Sequence, residues 1–227
     1  MNPINQLNSL ISKCKKSDLA CIESSINEAL PKIFDGIPEL GVESSDPNFI
    51  KVIEEDISII KYKFTNSSIT GYKNCNITKL KFNDDMTTLS CDVNCPPLLM
   101  NGQYEVKGQL LDLQIEGNGD FEFTSGYYLI HLSATLEIIE GSDGKNHLVV
   151  EDLKLRPNPL TEIKYKFQNL FNGKKELAEV MHEYAKKHWL EIALLLQHPI
   201  WSTSFNEVLG HVNKYLQHVA IEDILVD

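Results

Sequence analysis

Arginine is almost missing from this chain of 227 residues, in which Arg156 is the only one. Sites that clamp phosphate groups with paired guanidinium hydrogen bonds are therefore nearly excluded. Positive charge is scarce overall, because 21 lysine and arginine residues face 32 aspartate and glutamate residues and leave a formal net charge of −11 at pH 7. Nucleic acids and anionic membrane surfaces both select basic protein faces. The composition therefore argues against both as partners.

Long apolar runs are also missing. The chain has no stretch of about 18 apolar residues, so the sequence predicts no membrane span and no stable membrane insertion. The longest candidate, Trp189–Leu196, is too short and contains Glu191. Residues 1–5 lack the basic flank and the apolar segment of a signal peptide. If the chain is secreted, we expect its signal peptide to have been removed already.

Catalytic and metal-binding motifs are missing as well. The chain contains no Gly-x-Ser-x-Gly nucleophile motif, no glycine-rich phosphate loop and no dinucleotide fingerprint. His182-Glu183 lacks the second histidine of a helical zinc-protease site, because residue 186 is lysine. His211 and His218 lie seven residues apart, which is too far for the two to share a metal unaided. We therefore expect no enzymatic activity, no metal site and no cofactor.

Hydrophobic periodicity divides the chain into three parts. Residues 17–35 carry apolar side chains at helical spacing and predict an N-terminal helix, in which Pro31 should cause a kink or a restart. Residues 52–167 alternate between apolar and polar side chains and predict long β-strands. Residues 173–220 return to helical spacing, and the His-Pro pair at 198–199 should break or kink this helical region.

Strands followed by one long apolar helix predict an α+β fold. In this fold, an antiparallel β-sheet would wrap around a long C-terminal α-helix. A helical region of about 45 residues would be roughly 65 Å long at about 1.5 Å per residue, which exceeds the diameter of a compact domain of this size. We therefore expect the helix to kink or to lie along an elongated single domain that spans residues 1–227.

The five cysteines predict at least one disulfide. Cys14 and Cys21 close a short loop just before the first helix, and a bridge there would fix the N-terminal arm to the helix start. Cys91 and Cys95 share one face of a strand, and Cys75 on the preceding strand could oppose either of them. We expect one further bridge among these three residues and one buried, free thiol.

Two sequons for N-linked glycosylation start at Asn66 and Asn76. Both fit a secreted chain. Tripeptides of this kind also arise often by chance, so that the two sequons alone decide little.

Short motifs in a characteristic order cover nearly the whole chain. They are the spacing from Cys14 to Cys21, Asp46-Pro-Asn-Phe, Thr70-Gly-Tyr, Gly102-Gln-Tyr-Glu-Val-Lys-Gly, Gly117-Asn-Gly-Asp-Phe, Phe167-Gln-Asn-Leu-Phe-Asn-Gly-Lys-Lys-Glu-Leu and His188-Trp189. Together they resemble the takeout and juvenile-hormone-binding protein family of insects. The resemblance implies a long helix inside a strongly curved antiparallel sheet, related to tubular lipid-binding proteins. It also implies a secreted carrier of hydrophobic ligands such as juvenile hormone, other terpenoids, fatty acids or quinone-like lipids.

The resemblance and the expected elongation imply an internal apolar tunnel between the sheet and the helix. The candidate ligand-binding residues are Phe34, Ile60, Tyr62, Phe64, Phe82, Leu110, Phe123, Ile130, Leu132, Leu136, Phe167, Met181, Tyr184 and Trp189. The alternative is that these side chains form an ordinary packed core, and that the protein acts through surface contacts with a receptor. His131, Ser133 and Thr135 either orient a ligand head group or belong to a solvated outer face.

The expected partners follow from the same resemblance. We expect a hydrophobic small-molecule ligand and a receptor or acceptor protein, with no nucleic acid. The protein should be a monomer in extracellular fluid, either haemolymph or sensory lymph.

Overall fold

The computed structural model describes residues 10–57 and 59–227. The expectation about the N-terminal residues 1–5 therefore lies outside the described residues, as does the start of the domain predicted over 1–227. The predicted class is confirmed: the described chain combines a long C-terminal helix with curved antiparallel sheets.

A short strand and the first helix open the fold. They are β1 (Cys14–Lys15) and α1 (Leu19–Phe34). The helix starts after Asp18, because the carboxylate of this residue accepts a hydrogen bond from the Cys21 N–H at 3.0 Å. The predicted restart at Pro31 is wrong, since the helix continues to Phe34, and the alternative of a kink stays a prediction. Burial of Ile33 and Phe34 beyond the proline stabilises the last turn despite the lost backbone hydrogen bond.

The β region consists of two sheets rather than the single sheet predicted over 52–167. Its strands are β2 (Asn48–Ile57), β3 (Ile60–Thr70), β4 (Asn76–Phe82), β5 (Thr88–Cys95), β6 (Leu99–Leu110), β7 (Leu113–Thr124), β8 (Tyr128–Glu140), β9 (Asn146–Pro159) and β10 (Lys164–Phe167). The order β10-β7-β6-β3-β2 forms a five-stranded sheet, and the order β4-β5-β8-β9 forms a four-stranded sheet; both are antiparallel.

The two sheets separate where the chain cannot continue a ladder. Between β3 and β4, Gly71 has a φ of +111° and starts the short helical turn Tyr72–Asn74. Between β5 and β6 stand Pro96 and Pro97, which have no N–H to donate to a neighbouring strand. The alternation of apolar and polar residues does not show where one sheet ends and the other begins. The strands before and after each break have the same pattern of inward and outward faces.

The C-terminal part contains α2 (Lys175–Lys187), α3 (Trp189–Leu216), the short α4 (Ile221–Ile224) and β11 (Leu225–Val226), which pairs in parallel with β1. The break predicted at 198–199 is wrong, and the alternative of a kink there stays a prediction. The helix interruption lies at His188, with φ −110° and ψ 29°, and α3 runs through Pro199. Leu196 and Trp201 are both buried beside this proline, so tertiary packing stabilises the helix there.

The long helix α3 lies between the sheets and contacts β2 of one and β9 of the other. At about 1.5 Å per residue its 28 residues span roughly 40 Å. On the β2 side, the Asn48 amide donates hydrogen bonds to the Ser204 carbonyl oxygen at 3.1 Å and to its Oγ at 2.9 Å. All three groups are buried, so that these bonds attach the middle of the helix to the sheet edge.

Asparagine side chains complete both edges of the four-stranded sheet. On the β4 edge, the Asn27 amide of α1 donates to the Ile77 carbonyl at 2.7 Å and accepts from the Ile77 N–H at 2.7 Å. On the β9 edge, the Asn213 amide of α3 donates to the Val150 carbonyl at 2.8 Å and accepts from its N–H at 2.9 Å. Each amide therefore takes the place of the next strand's peptide group.

Replacing Asn27 or Asn213 by alanine leaves one strand N–H and one carbonyl without these partners. We expect each change to lower the free energy of unfolding by about 1–3 kcal/mol, measured by urea denaturation. The matched control is Asn206→Ala, because Asn206 lies exposed on the same helix as Asn213. Equal losses in Asn206→Ala and Asn213→Ala would contradict this role of the amides.

Candidate functional site

A cavity of about 740 Å³ lies beneath the four-stranded sheet. Its walls are α1, the inner face of β4, β5, β8 and β9, the C-terminal half of α3 and the C-terminal residues 221–225. The volume falls within the range of about 300–1,000 Å³ that small-molecule sites occupy. At about 30 Å³ each, it has room for roughly 25 groups of the size of a water molecule.

Aliphatic side chains form most of the cavity wall. The contributors from α1 are Ile22, Ile26, Ala29, Leu30 and Ile33; those from α3 include Val208, Leu209 and Val212; those from the sheet include Leu80, Leu89, Val93, Leu148, Val150 and Leu153. These side chains point inwards but are too short to meet across the space. The sheet and the helices therefore enclose an apolar volume that they do not fill.

Charged side chains lie at one end of the cavity. Asp84 and Asp85 come from the β4–β5 turn, Glu222 comes from α4, and Lys16 follows β1. The Lys16 ammonium is already 2.7 Å from the Asp227 carboxylate. Ile138 of β8 also lines the cavity and is 58% exposed, so apolar surface reaches solvent there. The rim is therefore predominantly acidic around an apolar interior.

Aromatic side chains fill the opposite half of the molecule, under the five-stranded sheet. Ring centroids lie 5.3 Å apart for Tyr62 and Phe64, 4.7 Å for Phe64 and Phe121, and 5.2 Å for Phe123 and Phe167. The voids described there are small, about 70 Å³ next to Phe123 and about 20 Å³ next to Phe64. This half is a packed core.

The structure divides the 14 predicted ligand-binding residues between these environments. Phe34, Phe82, Leu132 and Leu136 line the large cavity. Phe123 borders the void of about 70 Å³, and the void of about 20 Å³ is bordered by Ile60, Tyr62, Phe64, Leu110, Phe167 and Met181. Ile130, Tyr184 and Trp189 line none of the three. A binding role for any of them remains a prediction.

Sequence reasoning did not select most of the cavity wall. The apolar stripe of α1 includes Ile22, Ile26 and Leu30, and that of α3 includes Val208 and Val212. Neither stripe differs in sequence from the stripe of a helix that packs against a solid core. The available signal is side-chain size. Aliphatic residues dominate the inward positions around the cavity, whereas aromatic residues concentrate on β3, β7 and β10 around the packed half.

The polar side chains considered as head-group contacts do not line the cavity. His131 is exposed, and its Nδ1 lies 2.6 Å from a carboxylate oxygen of Asp92, whose second oxygen is 2.8 Å from the Lys79 ammonium. The hydrogen bond from Lys79 is the main cause that lowers the pKa of Asp92. Ser133 and Thr135 border a shallow outer groove of the same sheet.

The structure contains two disulfides, Cys14–Cys21 and Cys75–Cys95. Cys91 is free, 6% exposed, and lines the large cavity. Burial, followed by the charges of nearby carboxylates, raises the pKa of its thiol to about 12. Cys91 is therefore a neutral apolar wall residue at physiological pH.

The two sequon asparagines are both exposed. Asn66 lies at an irregularity between β3 and β6, and Asn76 begins β4. Glycosylation of either one remains a prediction.

Within residues 10–57 and 59–227, no helix combines the length and the hydropathy that crossing a membrane requires. The same residues contain no group of three or more His, Cys, Asp or Glu side chains arranged to hold a metal ion.

Comparison with known proteins identifies relatives along the whole chain. The model of the haemolymph juvenile hormone binding protein family matches residues 3–226. The circadian clock-controlled protein daywake of Drosophila melanogaster is 29% identical over 202 residues, which cover 82% of this chain and 76% of that protein. The juvenile hormone-binding protein of Manduca sexta is 32% identical over 76 residues, which cover 32% of this chain and 33% of that protein.

A solved structure has the same fold. The crystal structure of Epiphyas postvittana Takeout 1 superimposes with a TM-score of 0.90 and 24% sequence identity, covering 96% of this chain and 100% of that one. This match concerns the path of the backbone. The large cavity and the packed half depend on the side chains of this sequence.

Cys91 provides a test of the enclosed site. With a pKa of about 12, its thiolate fraction at pH 8 is roughly a thousandfold smaller than that of an ordinary cysteine. We expect N-ethylmaleimide to label the folded protein far more slowly than the protein in urea, as measured by intact mass. Cys91→Ala is the control and should take up no reagent in either state. Equally fast labelling of folded and unfolded protein would contradict the assigned burial.

Proposed function

Since the chain belongs to the haemolymph juvenile hormone binding protein family, we propose that it is a non-enzymatic carrier of one hydrophobic small molecule. The ligand occupies the cavity of about 740 Å³ beneath the four-stranded sheet. The observation that carries the proposal is this large and mainly aliphatic volume, which opens to solvent at its rim. A fully packed interior, which the alternative of a purely structural or interaction protein requires, describes only the other half of the molecule.

The aliphatic wall supplies the driving force for binding. A prenyl or acyl chain that buries about 300 Å² gains roughly 7 kcal/mol at about 25 cal/mol per Å². Lost translational and rotational freedom subtracts from this gain. Because the cavity is already formed, little further energy is spent on opening it. The balance is compatible with a reversible carrier.

Charge on the lining narrows the ligand class. Asp84, Asp85 and Glu222 are acidic, and the ammonium of Lys16 is already paired with Asp227. A carboxylate at the rim would meet mostly negative charge, and one placed deeper would lie in apolar surroundings without a counter-ion. Uncharged ligands such as terpenoid esters and quinone-like lipids therefore fit this cavity better than ionised fatty acids do.

The two disulfides support an extracellular location. Disulfides persist in oxidising compartments and are rare in the reducing cytosol. We place the carrier in haemolymph or sensory lymph, as a monomer that passes its ligand to a receptor or acceptor protein. The net charge of −11 keeps such a carrier soluble.

Native mass spectrometry tests ligand binding directly. Protein secreted from insect cells should carry an uncharged apolar molecule at one copy per chain, which solvent extraction releases for mass measurement. Stripped protein should bind the fluorescent probe N-phenylnaphthylamine. Protein that carries no adduct and binds no apolar probe would refute the carrier function.

A pair of neighbouring substitutions locates the site. Leu132 lines the cavity, whereas Ser133 follows it on β8 and lies exposed on the outer face. Leu132→Trp fills cavity space and should weaken probe binding at least tenfold. Ser133→Trp adds the same side chain outside the cavity and should leave the affinity within twofold of the unmodified protein. Equal affinities in the two variants would show that the probe does not bind in this cavity.

A further inference from the structure

Three voids follow one another along α3, and each shares wall residues with the next. Tyr72 borders both the cavity of about 740 Å³ and the void of about 70 Å³. Tyr165 and Leu196 border both the void of about 70 Å³ and the one of about 20 Å³. The space along the helix is therefore an interrupted channel, and Tyr72 stands where the large cavity ends.

Two further rings complete this boundary. Phe205 lines the large cavity and packs edge-on against Tyr72, with centroids 6.1 Å apart. Trp201 lines the small void and packs against Phe205 at 5.6 Å. Tyr72, Trp201 and Phe205, which we call the aromatic partition, separate the two spaces.

We propose that the aromatic partition sets the greatest length of ligand that the carrier accepts. This inference rests on the proposed function and deepens it. A chain that enters from the acidic rim extends until its end meets the ring of Tyr72. Each further methylene must then remain outside the apolar interior or displace the partition.

Hydrogen bonds and burial make the Tyr72 ring a firm stop. Its hydroxyl is hydrogen-bonded to Ser204 Oγ, which also accepts from the Asn48 amide at 2.9 Å. Tyr72 is 3% exposed, and this burial raises the pKa of its hydroxyl, which stays neutral. Moving the ring would leave buried polar atoms without partners, a cost that an aliphatic wall does not carry.

The backbone of Tyr72 is held on both sides. The Asp46 carboxylate accepts hydrogen bonds from the Gly71 N–H at 3.0 Å and from the Lys73 N–H at 2.9 Å. Three residues after Tyr72, the Cys75–Cys95 disulfide joins the chain to the end of β5. The partition is therefore anchored to β2, β5 and α3, and it cannot yield by a local shift of one loop.

A series of linear primary alcohols measures the length limit, by displacement of N-phenylnaphthylamine from stripped protein. Affinity should rise about fourfold for each added methylene while the chain fits the cavity. Beyond the limit, longer alcohols should gain nothing. A continuous rise through the longest soluble alcohol would overturn the proposal, and failure of every alcohol to displace bound probe would instead refute the proposed function.

Two variants move the limit in opposite directions. Tyr72→Ala opens the cavity onto the void of about 70 Å³, which at about 30 Å³ per group adds room for about two methylenes besides the space of the lost ring. The limit should shift to longer alcohols by at least two carbons. Val208→Phe places a ring on the cavity side of Phe205 and should shift the limit to shorter alcohols.

Two control variants distinguish the effect of the Tyr72 ring on ligand length from a general loss of stability. Tyr72→Phe loses the hydroxyl bond to Ser204 but keeps the ring and the backbone bonds to Asp46 on either side of it, so the length limit should not change. Phe121→Ala removes an equally buried ring, 3% exposed, from the packed half and should also keep it. An unchanged limit in folded Tyr72→Ala overturns the proposal. If that variant does not fold, an unchanged limit in Val208→Phe does so.

Discussion

Burial of the inward faces of both curved sheets against α3 is the interaction on which the rest of the structure depends. The other helices cover only one sheet each, α1 at β4 and α2 at β10, whereas α3 contacts both sheets and carries apolar side chains on too many sides to stand in water. Side-chain size then decides how completely the space is filled. Aromatic rings close the half under the five-stranded sheet, whereas aliphatic chains line a cavity of about 740 Å³ under the four-stranded one.

Polar contacts place these layers without filling the space between them. The amides of Asn27 and Asn213 each bond the backbone of one residue, Ile77 and Val150, on the two free edges of the four-stranded sheet. Asn48 attaches α3 to the five-stranded sheet. These directional bonds lie outside the mainly aliphatic interior of the cavity, which contains few polar groups that would need a partner.

Particular elements show how far sequence reasoning reaches. The helical spacing around Ile22 and Val208 predicts the first and the last long helix, whereas the structure shows that the first one starts after Asp18. Pro199 predicts a break that packing against neighbouring buried residues overrides, and nothing in the pattern marks His188 as the actual break. Alternation predicts lining roles for Leu132 and Leu136 and equally for Tyr62 and Phe64, because it shows only that a side chain points inwards; the first two line the large cavity and the other two a small void.

The sequence by itself determined the fold class, the family and the pairing of Cys14 with Cys21, since local spacing and residue type predict the helices, the strands and this bridge, and the ordered short motifs carry the resemblance to the family. Only the tertiary structure decided that Cys75 pairs with Cys95, that the β region divides into two sheets, and that one half is solid and the other open. The reason is physical. A cavity forms where backbone elements are held farther apart than their side chains can reach. That separation depends on contacts between residues that are far apart in the chain.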